Sequence, residues 1–398
     1  MTQGKMTYKA QFGILRIAVL ILLVANFHGC VESFEPETET FEDALVIEAT
    51  LTNEVKQQEI LLNRAFRLED LVPTPEVNAS VTVVDDLDNQ YEFQEVFPGT
   101  YGSITEFGTV PGRTYQLLVT TRDGRTYESD PVLGPEPTPI NNLMVARTTN
   151  DGTEGIDISV EYDNSQLSKY LRYKFEETYK IVAPSWSGQT LRILGGELVV
   201  WPIEGDVGRT CYNTDLSNDI ILNRPQESNS GEVQRFSLRF IDRNNFILSH
   251  RYSILVKQMV ISQESYSYLE TLEESTAEGD LFSPSQPGFF SGNVRSTSNT
   301  NEKVLGFFHV ASVASQRIFF DYNDYFPEED LPPYVDACLP FIAPLVTHDG
   351  TPDIFDLLAE DSVRYHSTAP SGDIAVVSTV CADCSVMWET TEPEFWEE

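Results

Sequence analysis

Hydrophobic and polar positions alternate with a period of two in short segments along most of the chain. This period is typical of half-buried β-strands, because successive side chains of a strand point to opposite faces of a sheet. In residues 44–53, Ile47, Ala49 and Leu51 alternate with polar neighbours. Similar strand-like segments occupy residues 154–163, 169–181, 232–241, 251–262 and 303–320. The sequence therefore predicts a mostly β fold.

Turn and linker signals divide this pattern into two parts. Asp123-Gly124 stands between two alternating runs in residues 113–129, which predicts a hairpin. Short strands at this close spacing favour an immunoglobulin-like β-sandwich over residues 44–134. Residues 134–140 hold three prolines in seven residues and are the best candidate for a linker. The remainder, residues 141–398, is predicted to be a larger β-rich domain with one helix.

That helix is predicted over residues 262–279. Ser262 is a suitable N-cap, Glu264 lies in the first turn, and Gly279 is a stop signal. A narrow apolar stripe at helical spacing consists of Tyr268, Leu269 and Leu272.

The first 43 residues have a different character. Residues 1–29 carry basic residues and no acidic ones, and a short apolar run leads to Gly29 and Cys30. This layout is typical of a secretory signal, and the apolar run is too short to span a membrane. We expect a lipoprotein signal in which Cys30 carries the lipid; the alternative is a cleaved signal followed by an incidental cysteine. Residues 30–43 are predicted to be an acidic tether.

The net charge is strongly negative. At pH 7 the formal charge is −36, which repels phosphate backbones and excludes nucleic acid as a partner. Otherwise the charge indicates only solubility.

Four cysteines remain after Cys30, and an even number in an exported chain predicts two structural disulfides. Their pairing stays open, because four cysteines allow three arrangements. Two alternatives concern the C-x-x-C at the end of the chain, but a zinc site lacks a second close ligand pair and a redox motif lacks a thioredoxin-like context. The disulfide candidates are Cys211, Cys338, Cys381 and Cys384.

No catalytic motif, metal site or cofactor site is predicted. The chain lacks the nucleophile-elbow, zinc-protease, phosphate-loop and dinucleotide signatures. His250 and His309 lie in apolar strand-like runs and are interpreted as structural, whereas His348 is placed in an exposed turn. Acidic residues 85–89 and 321–330 are weak candidates for calcium, and the first is more simply a hairpin turn. A hydrolase that uses scattered carboxylates is the least favoured possibility.

Exposed aromatic residues often anchor partners or sugars. Most aromatic residues of this chain are expected in cores. Tyr266 lies off the narrow apolar stripe of the predicted helix, and Phe289 and Phe290 lie in a Pro/Gly-rich loop. These three are the candidates for a partner surface.

Several stretches in a characteristic order cover nearly the whole chain after Cys30. They are LVIEATLTN, ASVTVVDD, GRTYQLLVTTRDGRTYESD before the proline-rich linker, RYSILVKQMVISQESYSYLETLEES, LFSPSQPGFFSGNV, KVLGFFHVASVASQRIFF and the closing CADC with EPEFW. Together they resemble a family of predicted outer-membrane lipoproteins of the Bacteroidota that is defined as a domain of unknown function. Genes of that family often lie beside those of TonB-dependent receptors.

The resemblance implies a non-enzymatic lipoprotein of the outer membrane. Cys30 matches the lipid-bearing position, and Glu32 and Glu35 fit the acidic residues that accompany export to the cell surface. The implied role is that of an accessory partner of a TonB-dependent barrel, helping in nutrient capture or complex assembly. A free-standing module that binds a glycan or peptide is the alternative, and it requires an exposed aromatic patch.

Overall fold

The structure is a computed structural model that describes residues 44–65, 73–162, 169–226, 234–277, 292–346 and 351–398. These residues belong to one compact unit. About 50% of the chain is in strands and 10% in helices, distributed over several sheets. The prediction of a mostly β fold is therefore confirmed.

The described residues form 23 strands, which we number β1–β23 in chain order. Strands up to the linker are β1 Leu45–Thr52, β2 Glu59–Arg64, β3 Thr74–Pro75, β4 Ser80–Asp85, β5 Gln90–Phe97, β6 Thr100–Ser103, β7 Thr114–Thr120, β8 Thr126–Ser129 and β9 Val132–Leu133. The others are β10 Asn142–Asn150, β11 Thr153–Tyr162, β12 Tyr170–Val182, β13 Gln189–Leu194, β14 Glu197–Pro202, β15 Thr210–Leu216, β16 Ile221–Asn223, β17 Gln234–Asp242, β18 Arg251–Ile261, β19 Val294–Ser296, β20 Val304–Asp321, β21 Phe341–Ile342, β22 Val363–Thr368 and β23 Ile374–Ser378.

One long helix occurs where the sequence predicts it. It is α1, Gln263–Ala277, and the Oγ of Ser262 accepts a hydrogen bond from the backbone N–H of Ser265 at 3.1 Å, as an N-cap does. The predicted stop at Gly279 lies outside the described residues. The sequence did not predict the shorter helices, since four to six residues are too few to show a helical period; they are α2 Tyr322–Tyr325, α3 Ile354–Ala359 and α4 Thr379–Ala382. Two 3₁₀ turns cover Phe246–Leu248 and Cys384–Val386.

The strands form one large sheet and three small ones. The large sheet has the order β15-β12-β18-β20-β1-β2-β6-β5-β4-β7-β8-β19, with β16 beside β12, β3 beside β2 and β9 beside β7. The small sheets are β10-β11-β17, β13-β14 and β21-β23-β22. Strand β20 pairs in parallel with β1 along its first half and antiparallel with β18 along its second half.

Two large hydrophobic cores both include residues of β20. The first is built from β1, β2 and β4–β9, and four buried residues from later in the chain complete it: Val294, Val304, Phe308 and Val310. Leu45, Ile47, Ala49 and Leu51 are buried in it, as the alternation in residues 44–53 predicts. The β-sandwich-like N-terminal part is thus present, with strands β19 and β20 contributed from beyond residue 290. The proposed boundary at residues 134–140 stays a prediction.

The second core lies between the small sheet β10-β11-β17 and strands β12 and β18. A polar contact lies within this core: the buried Glu177 accepts hydrogen bonds from Arg239 and Tyr252. The Arg239 Nη2–Glu177 Oε1 distance is 3.0 Å, and the Tyr252 OH–Glu177 Oε2 distance is 2.6 Å. Charge-assisted bonds of this kind satisfy a carboxylate that burial would otherwise destabilise.

Two glycines allow close backbone contacts with β20. A Cβ atom on Gly292 would collide with the carbonyl oxygen of Gly306, and one on Gly306 would collide with that of Ile47. Gly306 also has a φ of +94°, which disfavours other residues. The side chain of Asn293 completes the contact by bonding the N–H and the C=O of Phe308 at 2.8 and 2.9 Å.

The proline-rich segment 134–140 is docked on the large sheet. Gln258 Nε2 donates to the carbonyl oxygens of Thr138 and Pro139 at 2.9 and 3.3 Å, and the Ser312 hydroxyl donates to that of Pro135. These side chains belong to β18 and β20, so the segment is fixed against the strands that join the two cores.

Both predicted disulfides are present. Cys211 of β15 bonds Cys384, and Cys338 bonds Cys381 of α4. The two cysteines of the C-x-x-C therefore bond different remote partners. This pairing resolves the three arrangements that the sequence left open and leaves no close dithiol for a redox motif.

We expect the double variant Cys211→Ala/Cys384→Ala to lose about 3–5 kcal/mol of unfolding free energy, because the cross-link restricts the unfolded chain. The bond spans 173 residues, whereas Cys338–Cys381 spans 43. Removing the second pair should therefore cost about 1 kcal/mol less. Urea unfolding followed by circular dichroism measures both losses. Unchanged unfolding midpoints would contradict this prediction.

Candidate interaction surface

Three of the predicted site residues, Cys30, Phe289 and Phe290, lie outside the described residues. Tyr266 lies on α1 and is half-buried. Its ring lies 5.3 Å from that of Tyr170, and it packs on a cluster around Met259 and Leu269. It therefore packs on the sheet beside the apolar stripe, and a role in partner binding stays a prediction.

A run of exposed apolar side chains follows the second disulfide. We define the apolar strip as Leu339, Phe341, Ile342, Leu345 and Val346, whose exposed fractions are 76%, 46%, 56%, 61% and 66%. Large apolar side chains concentrated in this way on a soluble surface mark sites of protein or membrane contact.

The strip is held in place at both ends. Cys338 stands directly before it and is bonded to Cys381. Within the strip, β21 pairs with β23, and Ala343 is buried in a small core. The carbonyl oxygen of Pro344 accepts a 2.9 Å bond from the N–H of Ile354, the first residue of α3. The apolar side chains are thus presented on a fixed backbone, which lowers the entropy cost of binding.

A hairpin lies beside the strip. Strands β13 and β14 are joined by Gly195 and Gly196, whose φ angles of +63° and +88° suit a two-residue turn. One face of the hairpin packs into the same small core through Leu191 and Val200. On the other face, Trp201 is 42% exposed and its ring lies 5.3 Å from the guanidinium of Arg192.

A cleft of about 400 Å³ lies between this hairpin and the small sheet β21-β23-β22. Asp361 and Arg364 are the charged residues of its lining, and they form two hydrogen bonds of 2.6 and 3.2 Å with each other. The contact with Arg364 lowers the pKa of Asp361, although burial opposes the shift. This carboxylate is therefore ionised, and both of its oxygens are bonded to Arg364. The other lining residues are Thr190, Leu191, Ile193, Leu358, Ala359 and Val363.

Residues that could hold a metal are engaged otherwise. Among the residues that the structure describes, Asp336, Cys338 and Cys381 are the group close enough to share an ion. The two cysteines are bonded to each other and have no free thiolate.

Acidic residues of the two candidate calcium segments are bonded to other groups of the protein. Asp85 accepts hydrogen bonds from the backbone and side chain of Asn89 and from Arg113. In the second segment, Glu329 pairs with Arg147 and Arg243 at 2.6 Å each. The hairpin-turn interpretation of residues 85–89 fits these contacts.

His309 lies in a strand, as the sequence predicts, whereas His250 is half-buried in a bend directly before β18. His309 is 7% exposed on β20, and its ring stacks on Phe307 at 4.6 Å. Burial, followed by the nearby charges of Arg172 and Lys174, lowers its pKa to about 3. Burial also lowers the pKa of His250. His348 lies outside the described residues.

Sequence reasoning missed the apolar strip and the hairpin. The Gly195-Gly196 pair between two alternating runs was a usable hairpin signal. The strip has no such signal, because its residues have the same composition as a buried strand.

These features define a class: a mostly β, disulfide-linked chain of several sheets with a fixed apolar surface. In the part of the chain that the structure describes, no helix is long and apolar enough to span a membrane. The chain belongs to the DUF4249 family, a domain of unknown function, which matches residues 31–317. The predicted resemblance to a family defined as a domain of unknown function is therefore confirmed.

Other comparisons add little. No curated protein matches the sequence. A DUF4785 family protein of Legionella pneumophila is 9% identical, with 53% of this chain and 51% of that one covered and a TM-score of 0.18. This chain thus spans about half the length of that protein. The collagen adhesin of S. aureus is 7% identical over 69% of this chain and 93% of its own, with a TM-score of 0.11. Neither likeness supports an assignment.

The pKa of His309 predicts a dependence of stability on pH. Its imidazole protonates at pH 6.5 in the unfolded chain and near pH 3 in the folded one, so protonation favours unfolding. Stability should fall by about 2 kcal/mol from pH 7.5 to pH 5 through this group.

The variant His309→Gln should flatten that slope, which urea unfolding at several pH values measures. The matched control is His366→Gln, which replaces a half-buried histidine outside the two large cores. His250 titrates in the same direction, so some slope should persist. An equal slope in the wild type and His309→Gln would refute the prediction.

Proposed function

We propose that this protein is a non-enzymatic lipoprotein of the outer membrane that faces the cell exterior and serves as an accessory subunit of a TonB-dependent receptor. The observation that carries the proposal is the apolar strip, held by the Cys338–Cys381 bond. The sequence around Cys30 supports the lipid anchor, and the resemblance stated above supports the receptor as partner.

Contact with a protein explains the strip better than solubility does. The chain has 62 acidic and 26 basic residues, so most of its surface favours water. Five large apolar side chains within eight residues oppose this trend. Fixed apolar side chains are the groups that supply most binding energy at protein interfaces. A partner with a complementary apolar surface would remove them from water.

The nearby cleft does not support the hydrolase alternative. A glycosidase requires two carboxylates about 5–10 Å apart, one of them free to take up or release a proton. Asp361 is the carboxylate that lines this cleft, and Arg364 neutralises it.

A second candidate function is a free-standing module that binds a glycan or peptide. It is favoured by Trp201, whose exposed ring beside the cleft could stack on a sugar. This role requires no barrel partner. A glycan array tests this role. The wild type should bind a glycan that the control variant Trp201→Ala does not bind.

The partner is tested by purifying the tagged full chain from native outer membranes after mild crosslinking. We expect a stoichiometric TonB-dependent barrel. Purification of the variant Leu339→Ser/Ile342→Ser should recover at least about tenfold less of the barrel, since buried apolar anchors contribute about 1 kcal/mol or more each.

The control variant is Val55→Ser/Leu87→Ser, whose side chains are 75% and 61% exposed far from the strip in sequence. It should retain the barrel. Thermal unfolding verifies that both variants fold. Recovery of the wild type alone would overturn the partnership, and equal recovery with both variants would exclude the strip as the contact.

The anchor is tested by Cys30→Ser, which removes the thiol that would accept the diacylglycerol. The protein should lose labelled fatty acid and move from the membrane to the soluble fraction, because the lipid chains supply the membrane affinity. The control variant Glu32→Ala/Glu35→Ala should keep the label but lose access to external protease. Membrane retention of unlabelled Cys30→Ser would contradict the proposed anchor.

A further inference from the structure

Strand β10 is an edge strand with one open side. It forms one edge of the small sheet β10-β11-β17 and pairs with β11 along all nine of its residues, with no register shift. In the part of the chain that the structure describes, no backbone hydrogen bond joins its other side to another strand. Residues 146–150 are all exposed, so solvent reaches this side.

The turn after β10 shows which backbone groups point outward. Asp151 and Gly152 join β10 to β11, and their φ angles of +47° and +83° suit a two-residue type I′ turn. The residues that flank such a turn, here Asn150 and Thr153, form a hydrogen-bonded pair, and bonded and non-bonded pairs alternate from there. Every second residue of β10 therefore directs its N–H and C=O away from β11. These residues are Leu143, Val145, Arg147 and Thr149.

The other long edge strands of the described residues are interrupted or covered. β17 is also nine residues long, but a register shift breaks its pairing with β11. β15 ends the large sheet, and Glu389 covers part of it through two backbone hydrogen bonds with Tyr212. β22 carries a register shift, and β19 has only three residues. Proteins usually protect long edges in such ways, because unpaired backbone groups recruit another strand. Among the described strands, β10 is the longest edge without this protection.

The open edge is also free of the negative charge that covers the chain. β10 has no acidic residue, although the chain has 62. Its one charged residue is Arg147, which pairs with Glu154 and Glu329 at 2.7 and 2.6 Å. A second copy of this strongly negative chain could therefore approach β10 without meeting an unpaired acidic group on the strand itself.

Two copies of β10 are complementary in an antiparallel register centred on Ala146. Val145 then lies opposite Arg147 of the second copy, and Leu143 lies opposite Thr149. Each residue with outward-facing backbone groups thus meets another, and each such pair exchanges two hydrogen bonds, or about eight in all. The two arginines are not opposite each other, so the register brings no like charges together.

We propose that β10 is a dimerisation edge, at which two copies of this chain join their small sheets into one sheet of six strands. The two-fold axis passes through Ala146. No residue of β10 belongs to the apolar strip, so this dimer is independent of the proposed receptor contact. Because the two chains are both strongly negative, salt screens their repulsion, and the dimer becomes tighter as ionic strength rises.

Cysteine crosslinking in cells that express the full chain tests the register. We expect Ala146→Cys to form a disulfide-linked dimer under mild oxidation with copper phenanthroline. The two copies of residue 146 form a non-hydrogen-bonded pair with Cα atoms about 4.5 Å apart, which a disulfide can bridge. Electrophoresis without reductant measures the dimer.

The matched control is Thr148→Cys, an exposed position on the same face of the same strand. Its two copies would lie about 14 Å apart, which is too far for a disulfide. Equal crosslinking of the two variants, or none with Ala146→Cys, would overturn the proposal. A crosslink from Ala146→Cys to a different polypeptide would assign the edge to a partner strand and overturn it as well.

Sedimentation equilibrium of the purified full chain measures the dimer without a crosslink. Thr149→Pro removes an outward-facing N–H and keeps the bonds to β11, so it should weaken the dimer at least about tenfold. Thr149→Ala is the control and should associate like the wild type, and circular dichroism verifies that both variants fold. Added sodium chloride should lower the dissociation constant of the wild type. A wild type that stays monomeric at about 100 μM, or equal association of Thr149→Pro, would refute the proposal.

Discussion

The pairing of β20 with two different neighbours is the interaction on which the rest of the fold depends. Its first half lies parallel to β1, and its second half lies antiparallel to β18. Through β1 it completes the N-terminal core, and through β18 it continues the sheet that supports the second core and α1. The segment 134–140 is fixed to β18 and to β20 itself. Both cores therefore include residues of β20, and a shift of this strand would disturb both.

Local patterns were sufficient to find the elements but not their partners. Alternation located β1, β11, β12, β18 and β20, and the Ser262 cap located the start of α1, because these signals depend on neighbouring residues. The contact between Leu45 and Val304 joins residues far apart in the chain, and no local pattern encodes it. The short helices escaped prediction because each is two turns or less.

The site was harder to predict than the fold for a related reason. Whether Phe341 and Leu345 are buried or exposed depends on what packs above them, and composition alone does not show it. Disulfides were foreseen from the even number of cysteines, whereas their pairing required the positions of the strands.

The arrangement of the disulfides has a consequence for oxidative maturation. Cys381 and Cys384 are three residues apart, and in an unfolded chain they meet far more often than either meets its native partner, because closing a short loop costs less entropy. A bond between them would leave Cys211 and Cys338 reduced. Reaching the native pairing then requires thiolate attack and exchange. Cys211 or Cys338 can supply that thiolate while it is reduced, whereas a strong oxidant that joins these two cysteines first would trap the wrong isomer.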